Sequence, residues 1–177
     1  KDHMPELAEN LGRVCALAPG VLGLTGIETG EIVMGIADRI KPTHVIAIDA
    51  LASKSVDRIA NTIQIADTGI VPGSGVGNHR KALTRETLGV PVLSIGVPTV
   101  VSVGVIARQT AQILADSSEI DQDKSKAEQE LFSKLDEMVV TPKNIDLIME
   151  KIAKIVSSGI NLSIHKGYTL EEMEVFL

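Results

Sequence analysis

Apolar residues first recur at the spacing of a helix and then gather into short continuous runs. Four of them lie about one helical turn apart in the segment 28–40: Ile32, Val33, Ile36 and Ile40. This spacing predicts a helix, which Pro42 ends. The apolar run Val45–Ile48 predicts a strand buried on both faces of a parallel sheet, and Asp49 is expected at the carboxyl end of this strand.

The segments between residues 53 and 116 continue this alternation of strands and helices. Residues 53–60 predict a short helix, residues 62–66 alternate like a strand near a sheet edge, and residues 91–97 predict a second buried strand. Pro98 and Thr99 are expected to begin a long helix that ends near Asp116. Together these elements predict the α/β class, with a doubly wound, mostly parallel sheet flanked by helices.

The C-terminal part of the chain is polar at first and then helical. Residues 117–129 are almost free of apolar side chains, which predicts a solvated linker or the exposed start of a helix. Thr141 and Pro142 are expected to begin a helix that ends near Gly159. We therefore expect one α/β domain over residues 1–177, with a sheet portion at 1–116, a polar linker at 117–129 and a helical tail at 130–177.

A doubly wound sheet normally begins with a strand–turn–helix unit, and the pattern before residue 28 does not predict one. Only Val14–Leu17 could serve as a first strand. We therefore expect that the chain is a fragment and that its first strand–turn–helix unit is missing.

Composition narrows the classes of function. Aromatic residues make up 2% of the chain and the formal net charge is −6, so the surface has few rings for stacking on bases and little positive charge for phosphates. We therefore expect no direct nucleic-acid partner. No apolar stretch approaches the roughly 18 to 20 residues of a membrane span, which predicts a soluble protein without a membrane partner.

The cysteine and the histidines indicate neither a reactive nor a metal-binding site. Cys15 is the single cysteine, which excludes an intrachain disulfide and is typical of a reducing, cytoplasmic compartment. Its apolar neighbours favour a buried, unreactive thiol. The histidines show no ligand spacing such as His-x-x-x-His, so neither a metal nor another cofactor is expected.

Asp49 is the leading candidate for chemistry, because ligands of open α/β sheets bind beyond the carboxyl ends of the strands. The pattern also allows a structural role, in which Asp49 caps a helix that begins within residues 50–53. A second carboxylate could share a proton with Asp49 and let the pair activate water. Glu28 and Asp67 are the candidates for that partner. Glu28 could equally complement a helix dipole, and Asp67 could be a turn residue.

The segment 69–81 is rich in glycine. Four of its residues are expected to line the rim of a cleft: Gly73, Gly75, Gly77 and Asn78. Arg80 and Lys81 raise the alternative of a phosphate-binding loop. The glycine spacing matches neither the P-loop nor the dinucleotide-binding fingerprint, so the flexible rim is favoured over the phosphate site.

Several motifs taken together resemble the spore germination protease family. The segments that carry the resemblance are 18–29 (APGVLGLTGIET), 44–52 (HVIAIDALA), 62–70 (TIQIADTGI), 72–78 (PGSGVGN) and 95–101 (IGVPTVV). The resemblance resumes at 140–143 (VTPK) and continues to His165, as in the C-terminal helix of that family. One departure is Ser102, which stands where the family has an acid.

The resemblance implies an endopeptidase that degrades small acid-soluble spore proteins during germination. It implies a homo-oligomer that is made as a zymogen and acts in the cytoplasm of the spore core. It also implies an atypical aspartic mechanism without a cofactor, on a fold similar to that of hydrogenase-maturation proteases.

In this family one of the two catalytic aspartates matches Asp49. The other belongs to an earlier strand–turn–helix unit that has no counterpart here, which puts the activity of this chain by itself in doubt. Two alternatives stay open. One is a metal-sensing peptidase of the maturation type, and the other is a non-catalytic or phosphate-binding fragment.

Overall fold

The computed structural model describes residues 11–72, 81–116 and 126–174 of the chain. The chain comprises two compact units. The terminal unit combines Lys1–Ala18 with Asn144–Leu177, and the sheet unit comprises Pro19–Lys143. The single domain expected above stays a prediction.

Two helices open the sheet unit. Helix α1, Leu22–Thr25, is a single turn that ends at Gly26 with a left-handed φ of 69°. Helix α2, Thr29–Ile40, confirms the helix predicted from the apolar spacing. It ends at Lys41, whose amide donates to the Ala37 carbonyl, just before Pro42 as expected.

Four strands form one open sheet: β1 (Val45–Ser53), β2 (Gln64–Ala66), β3 (Val92–Ser102) and β4 (Val139–Val140). Strand β1 pairs with β3 in parallel, whereas β2 and β4 pair with β3 antiparallel. A mixed α/β sheet flanked by helices is therefore confirmed. A doubly wound, parallel arrangement is not confirmed by the described strands.

The core of the sheet unit is centred on β3. Six apolar side chains are buried among the described residues: Leu83, Val92, Ile95, Val97, Pro98 and Val101. The prediction that Val45–Ile48 is buried on both faces is wrong for this chain. Ile46 and Ile48 remain 36% and 58% exposed, because the described elements cover only the other face of β1.

Strand β3 is longer than its apolar pattern predicts. The helix expected to begin at Pro98 and Thr99 begins at Val103 instead, because β1 continues to pair with β3 as far as Ser53 and Val101. The register shifts between Leu51 and Ala52, so that no β1 residue stands opposite Thr99. A bulge of this kind accommodates Pro98, which has no amide to donate. The helix itself, α4, spans Val103–Asp116.

The connections around β2 also differ from expectation. The short helix predicted for residues 53–60 is a single 3₁₀ turn, Val56–Arg58. Strand β2 is confirmed, but it is only three residues long. A further helical turn, α3 (Arg85–Leu88), follows Thr84, whose hydroxyl accepts the amide of Thr87 and so caps the turn.

Helix α5, Lys126–Asp136, begins inside the segment predicted as a linker, and residues 117–125 lie outside the described residues. The helix expected after Pro142 is α6, Ile145–Ile164, which begins after Asn144 and passes Gly159. Thr141 does not cap it. The Thr141 hydroxyl donates to the Thr99 carbonyl at 2.8 Å and so extends the β3–β4 contact.

In the terminal unit, α6 is followed by α7, Leu170–Glu174. Residues 11–18 form neither helix nor strand, so the alternative first strand Val14–Leu17 is wrong. The prediction of a buried Cys15 is also wrong. Its thiol is exposed, because this irregular segment leaves Val14 and Leu17 largely exposed as well. Within the described ranges, no helix combines the length and apolar character that a membrane crossing needs.

Candidate active site

Asp49 lies in the middle of β1, where its backbone pairs with Gly96 of β3. Its predicted place at the end of the strand is therefore wrong, because Ala50–Ser53 also pair with β3. The helix-cap alternative for Asp49 is wrong for the same reason. The 3₁₀ turn begins only at Val56, and Ser55 precedes it.

The carboxylate of Asp49 leans towards the side of β1 that faces away from β3. The Val45 amide donates to the Pro91 carbonyl, and successive amides of a strand point alternately to its two edges. The Ala50 amide therefore points away from β3, and it donates to Asp49 Oδ1 at 2.9 Å. A half-buried carboxylate thus lies along the outer edge of β1.

Asp49 has a glycine, Gly96, as its neighbour on β3, so the row of side chains across the sheet has a gap beside Asp49. Gly96 pairs with Asp49 on one side and with Gln64 on the other, so these three residues share one face. A Cβ atom on Gly96 would lie 2.2 Å from Leu51 Cδ1. Leu51 therefore covers Gly96 and forms an apolar wall beside Asp49. Gln64 was not among the predicted site residues. The period-2 alternation of residues 62–66 is a signal that could have identified it as a polar residue of this strand, because it places Gln64 on the face opposite Ile63 and Ile65.

The register of the sheet places one of the two predicted partner acids, Asp67, away from Asp49. Asp67 follows Ala66, which pairs with Ser94. This register places Asp67 two strands across and three positions along from Asp49, or about 10 Å in each direction. Glu28 occupies the N-cap position of α2, where its carbonyl accepts two amides of the first turn. Whether Glu28 is the partner of Asp49 stays a prediction.

The glycine-rich segment is only partly described. Gly73, Gly75, Gly77, Asn78 and Arg80 lie outside the described residues, so their place at a cleft stays a prediction. Lys81 is described, and its ammonium group lies 3.1 Å from Glu31 Oε1 on α2. Since this cation already has a carboxylate partner, the contact disfavours Lys81 as a phosphate ligand.

Ser102 is part of a polar cluster at the start of α4. Its hydroxyl accepts the Val105 amide at 3.1 Å, which makes Ser102 the N-cap of α4, and it donates to Asp136 Oδ1 at 2.8 Å. The Arg108 guanidinium donates hydrogen bonds to both carboxylate oxygens of Asp136, at 2.9 and 2.6 Å, and lies over the ring of Phe132. A carboxylate in place of Ser102 would face Asp136 directly.

The hydrogen bonds in this cluster hold the pKa of Asp136 below its usual value, with Arg108 as the main cause and Ser102 as the second. Asp136 also raises the pKa of Arg108. The cluster joins α4 to α5 and lies beyond the carboxyl end of β3. The family resemblance drew attention to Ser102, but the sequence did not indicate Asp136 as its partner, because the two residues are distant along the chain.

The described residues contain no group of three or more His, Cys, Asp or Glu side chains arranged to hold a metal ion. A cavity of about 360 Å³ lies between α2 and α3, lined in part by Met34, Ala37 and Leu88. Asp49 is not among the residues that line it. The candidate site is therefore the surface along β1, and not this cavity.

The protein thus has a mixed α/β fold, with a candidate catalytic aspartate on one strand of its sheet. A family model described as "Germination protease" matches residues 2–117. The chain belongs to the germination protease family.

Curated relatives extend this likeness over the whole chain. The germination protease of Caldanaerobacter subterraneus subsp. tengcongensis is 46% identical and that of Clostridium perfringens (strain SM101 / Type A) is 42% identical, each over 100% of this chain and 60% of the relative. The germination protease of Halalkalibacterium halodurans is 34% identical over 97% of this chain and 59% of the relative. The chain thus spans about 60% of the length of the curated relatives it matches.

Proposed function

We propose that the complete protein is an endopeptidase that hydrolyses small acid-soluble spore proteins during germination. Family membership supports this function, because the relatives carry the name germination protease. The observation that carries the site assignment is the half-buried carboxylate of Asp49, which is held at the outer edge of β1 by the Ala50 amide. The same proposal includes a zymogen form, a homo-oligomer and a location in the cytoplasm of the spore core.

The proposed mechanism uses two carboxylates that share one proton. The ionised partner removes a proton from water, which then attacks the peptide carbonyl, and the protonated partner donates its proton to the leaving amine. Two like charges in contact cannot both be ionised, which keeps one proton between them. Asp49 is one member of this pair. The proposal takes the second carboxylate to be an aspartate of an earlier strand–turn–helix unit, as the family resemblance implies.

The surroundings of Asp49 suit a protein substrate. Gln64 lies on the same face of the sheet and presents an amide that can bind the backbone of an extended peptide. Leu51, two positions along on the same face of β1, adds an apolar side chain beside the carboxylate. The glycine-rich segment 73–78 is proposed to border the same cleft.

The test is Asp49→Asn in the complete, activated protein, with the initial rate of cleavage of a purified small acid-soluble spore protein as the measurement. Asn has nearly the same shape but cannot act as a base, so we expect the rate to fall by on the order of 10³-fold. Asp57→Asn is the matched control, because Asp57 is an exposed acid on the turn after β1, and it should leave the rate unchanged. A wild-type rate for folded Asp49→Asn would refute the assignment.

A further inference from the structure

The connection between β1 and β2, residues 54–63, crosses β3 near its carboxyl end. Strands β1 and β2 flank β3 on opposite sides, so the chain must pass from one side of β3 to the other. It leaves β1 at Ser53, which pairs with Val101, and the Ala60 amide then donates to the Pro98 carbonyl at 2.7 Å. Ligands of open α/β sheets bind beyond the carboxyl ends of the parallel strands. The connection therefore lies at the end of the sheet where a ligand is expected.

This connection is within reach of a peptide bound at Asp49. Asp49 pairs with Gly96, so Pro98 lies one strand across and two positions along from it, or about 8 Å away. Because the Ala60 amide contacts the Pro98 carbonyl, Ala60 lies only slightly further from Asp49. An extended peptide advances about 3.3 Å per residue. A substrate bound at Asp49 would thus meet the connection within about three to four residues.

Gln109 of α4 holds the first part of the connection with both ends of its side-chain amide. Its Oε1 atom accepts the Val56 amide at 3.1 Å, and its Nε2 atom donates to Ser55 Oγ at 3.1 Å. Gln109 is half-buried, so these bonds are partly shielded from water. One side chain therefore ties the 3₁₀ turn to the helix that follows β3.

The same contact continues to the end of β1. Ser53 is buried, and its hydroxyl donates to the Ser55 carbonyl and accepts the Ser55 amide. Ser55 is in turn held by Gln109 through its hydroxyl. The conformation of the chain is thus fixed by hydrogen bonds from the last residue of β1 to the start of the 3₁₀ turn.

The second part of the connection contains a strained residue, Ala60, with a left-handed φ of 53°. Ile59 has φ −61° and ψ 126°, and the Asn61 amide donates to the Arg58 carbonyl at 3.3 Å, as in a type II turn. The third position of such a turn normally holds glycine, because a Cβ atom strains the backbone there. Alanine makes the turn stiffer than glycine would, and strain of this kind is concentrated at sites that bind ligands.

We propose that the β1–β2 connection binds the substrate beside the scissile bond, and that Gln109 is the residue that positions it. The side chains of Lys54, Val56 and Arg58 are exposed and so are accessible to a peptide. A segment that already has its bound shape loses less conformational entropy on binding, which favours affinity. This inference deepens the proposed function and rests on it for the identity of the substrate.

The first test is Gln109→Ala in the complete, activated protein, with KM and kcat for a purified small acid-soluble spore protein as the measurements. Loss of both hydrogen bonds should raise KM on the order of tenfold and leave kcat within about twofold, because the connection binds substrate and takes no part in the proton transfers. Gln109→Glu should restore most of the affinity, since a carboxylate can accept both the Val56 amide and the Ser55 hydroxyl. Thr110→Ala, at the next residue of α4, is the matched control and should leave KM unchanged.

The outcomes separate this inference from the proposed function. An unchanged KM for Gln109→Ala, or a loss confined to kcat, would overturn the positioning role, even where Asp49→Asn abolishes cleavage. Equal rises in KM for Gln109→Ala and Gln109→Glu would also overturn it, because the two hydrogen bonds would then not be the cause. A wild-type protein that does not cleave the spore protein would overturn both.

Ala60→Gly provides a second variant that does not weaken the fold. Glycine relieves the strain of the left-handed conformation, so the Tm should not fall, while the looser turn should raise KM several-fold. A purely structural role for the connection predicts the opposite pattern, in which a protein at least as stable as the wild type also keeps its KM. That result for Ala60→Gly would refute the binding role of the connection.

Discussion

Leu51 of β1 fills the space that the absent side chain of Gly96 leaves on β3. A Cβ atom at position 96 would lie 2.2 Å from Leu51 Cδ1 and 2.8 Å from its Cγ. Leu51 and Asp49 lie on the same face of β1, two positions apart. The contact with Gly96 therefore fixes the position of the Leu51 side chain next to the candidate carboxylate of Asp49.

Replacement of Gly96 by alanine should destabilise the sheet unit by about 1–3 kcal/mol, because Leu51 must leave its position to avoid overlap. The free energy of unfolding in urea measures this loss. In the double variant with Leu51→Ala the overlap disappears, so the added cost of Gly96→Ala should fall close to zero. Equal costs in both backgrounds would show that Leu51 does not occupy this space.

Ser102→Ala should cost about 1 kcal/mol, because it removes the N-cap of α4 and leaves the Val105 amide without its acceptor. Urea unfolding of the sheet unit gives this value. Thr110→Ala in the same helix is the control, since the exposed Thr110 hydroxyl donates to the Ile106 carbonyl of its own helix, and its loss should change stability by less than about 0.5 kcal/mol. A Ser102→Ala variant as stable as Thr110→Ala would rule out the capping role.

The Arg108–Asp136 pair should make the free energy of unfolding depend on pH in the acid range. Its hydrogen bonds lower the pKa of Asp136 in the folded state from the usual 3.8, so the contribution is fully present above about pH 4 and is lost as the pH falls through the lowered pKa. Asp136→Asn should therefore destabilise the chain at pH 6 more than at pH 3. Urea midpoints at the two pH values test this, with Glu137→Gln as the exposed control. A difference between Asp136→Asn and wild type that does not change with pH would contradict it.

Gly12→Ala should detach the irregular segment of the terminal unit from the end of α6. The Gly12 amide donates to His165 Nδ1 at 3.0 Å, and a Cβ atom would lie 2.7 Å from the Ile164 carbonyl oxygen, which is part of the backbone and cannot rotate away. The measurement is the rate of tryptic cleavage after the exposed Arg13, which we expect to rise on the order of tenfold. Gly35→Ala should leave this rate unchanged, because a Cβ there meets no atom within 4 Å.

Local signals in the sequence were sufficient for several features. Apolar spacing predicts α2, and Pro42 marks its end, because helix periodicity and the loss of an amide act within a few residues. The apolar runs beginning at Val45 and Pro91 locate the two main strands for the same reason. The sequence also indicates Asp49 as the leading acid, and its motifs indicate the family to which the chain belongs.

The ends of the strands could not be predicted in the same way. Whether Asp49 terminates β1, or Pro98 begins a helix, depends on hydrogen bonds to another strand, and those partners are distant in the sequence. Two side-chain contacts could not be predicted for the same reason. Ser102 bonds Asp136, and Leu51 packs over Gly96, and each partner is distant in the sequence.

The sequence by itself thus determined the helix α2, the positions of β1 and β3 along the chain, and the candidate aspartate, because propensity, periodicity and motifs are local properties. Only the tertiary structure decided that Asp49 lies within its strand, that Ile46 and Ile48 are exposed on one face, and that β1 pairs with β3 alone among the described strands. Pairing and burial depend on which distant segments meet, and a local pattern does not contain that information.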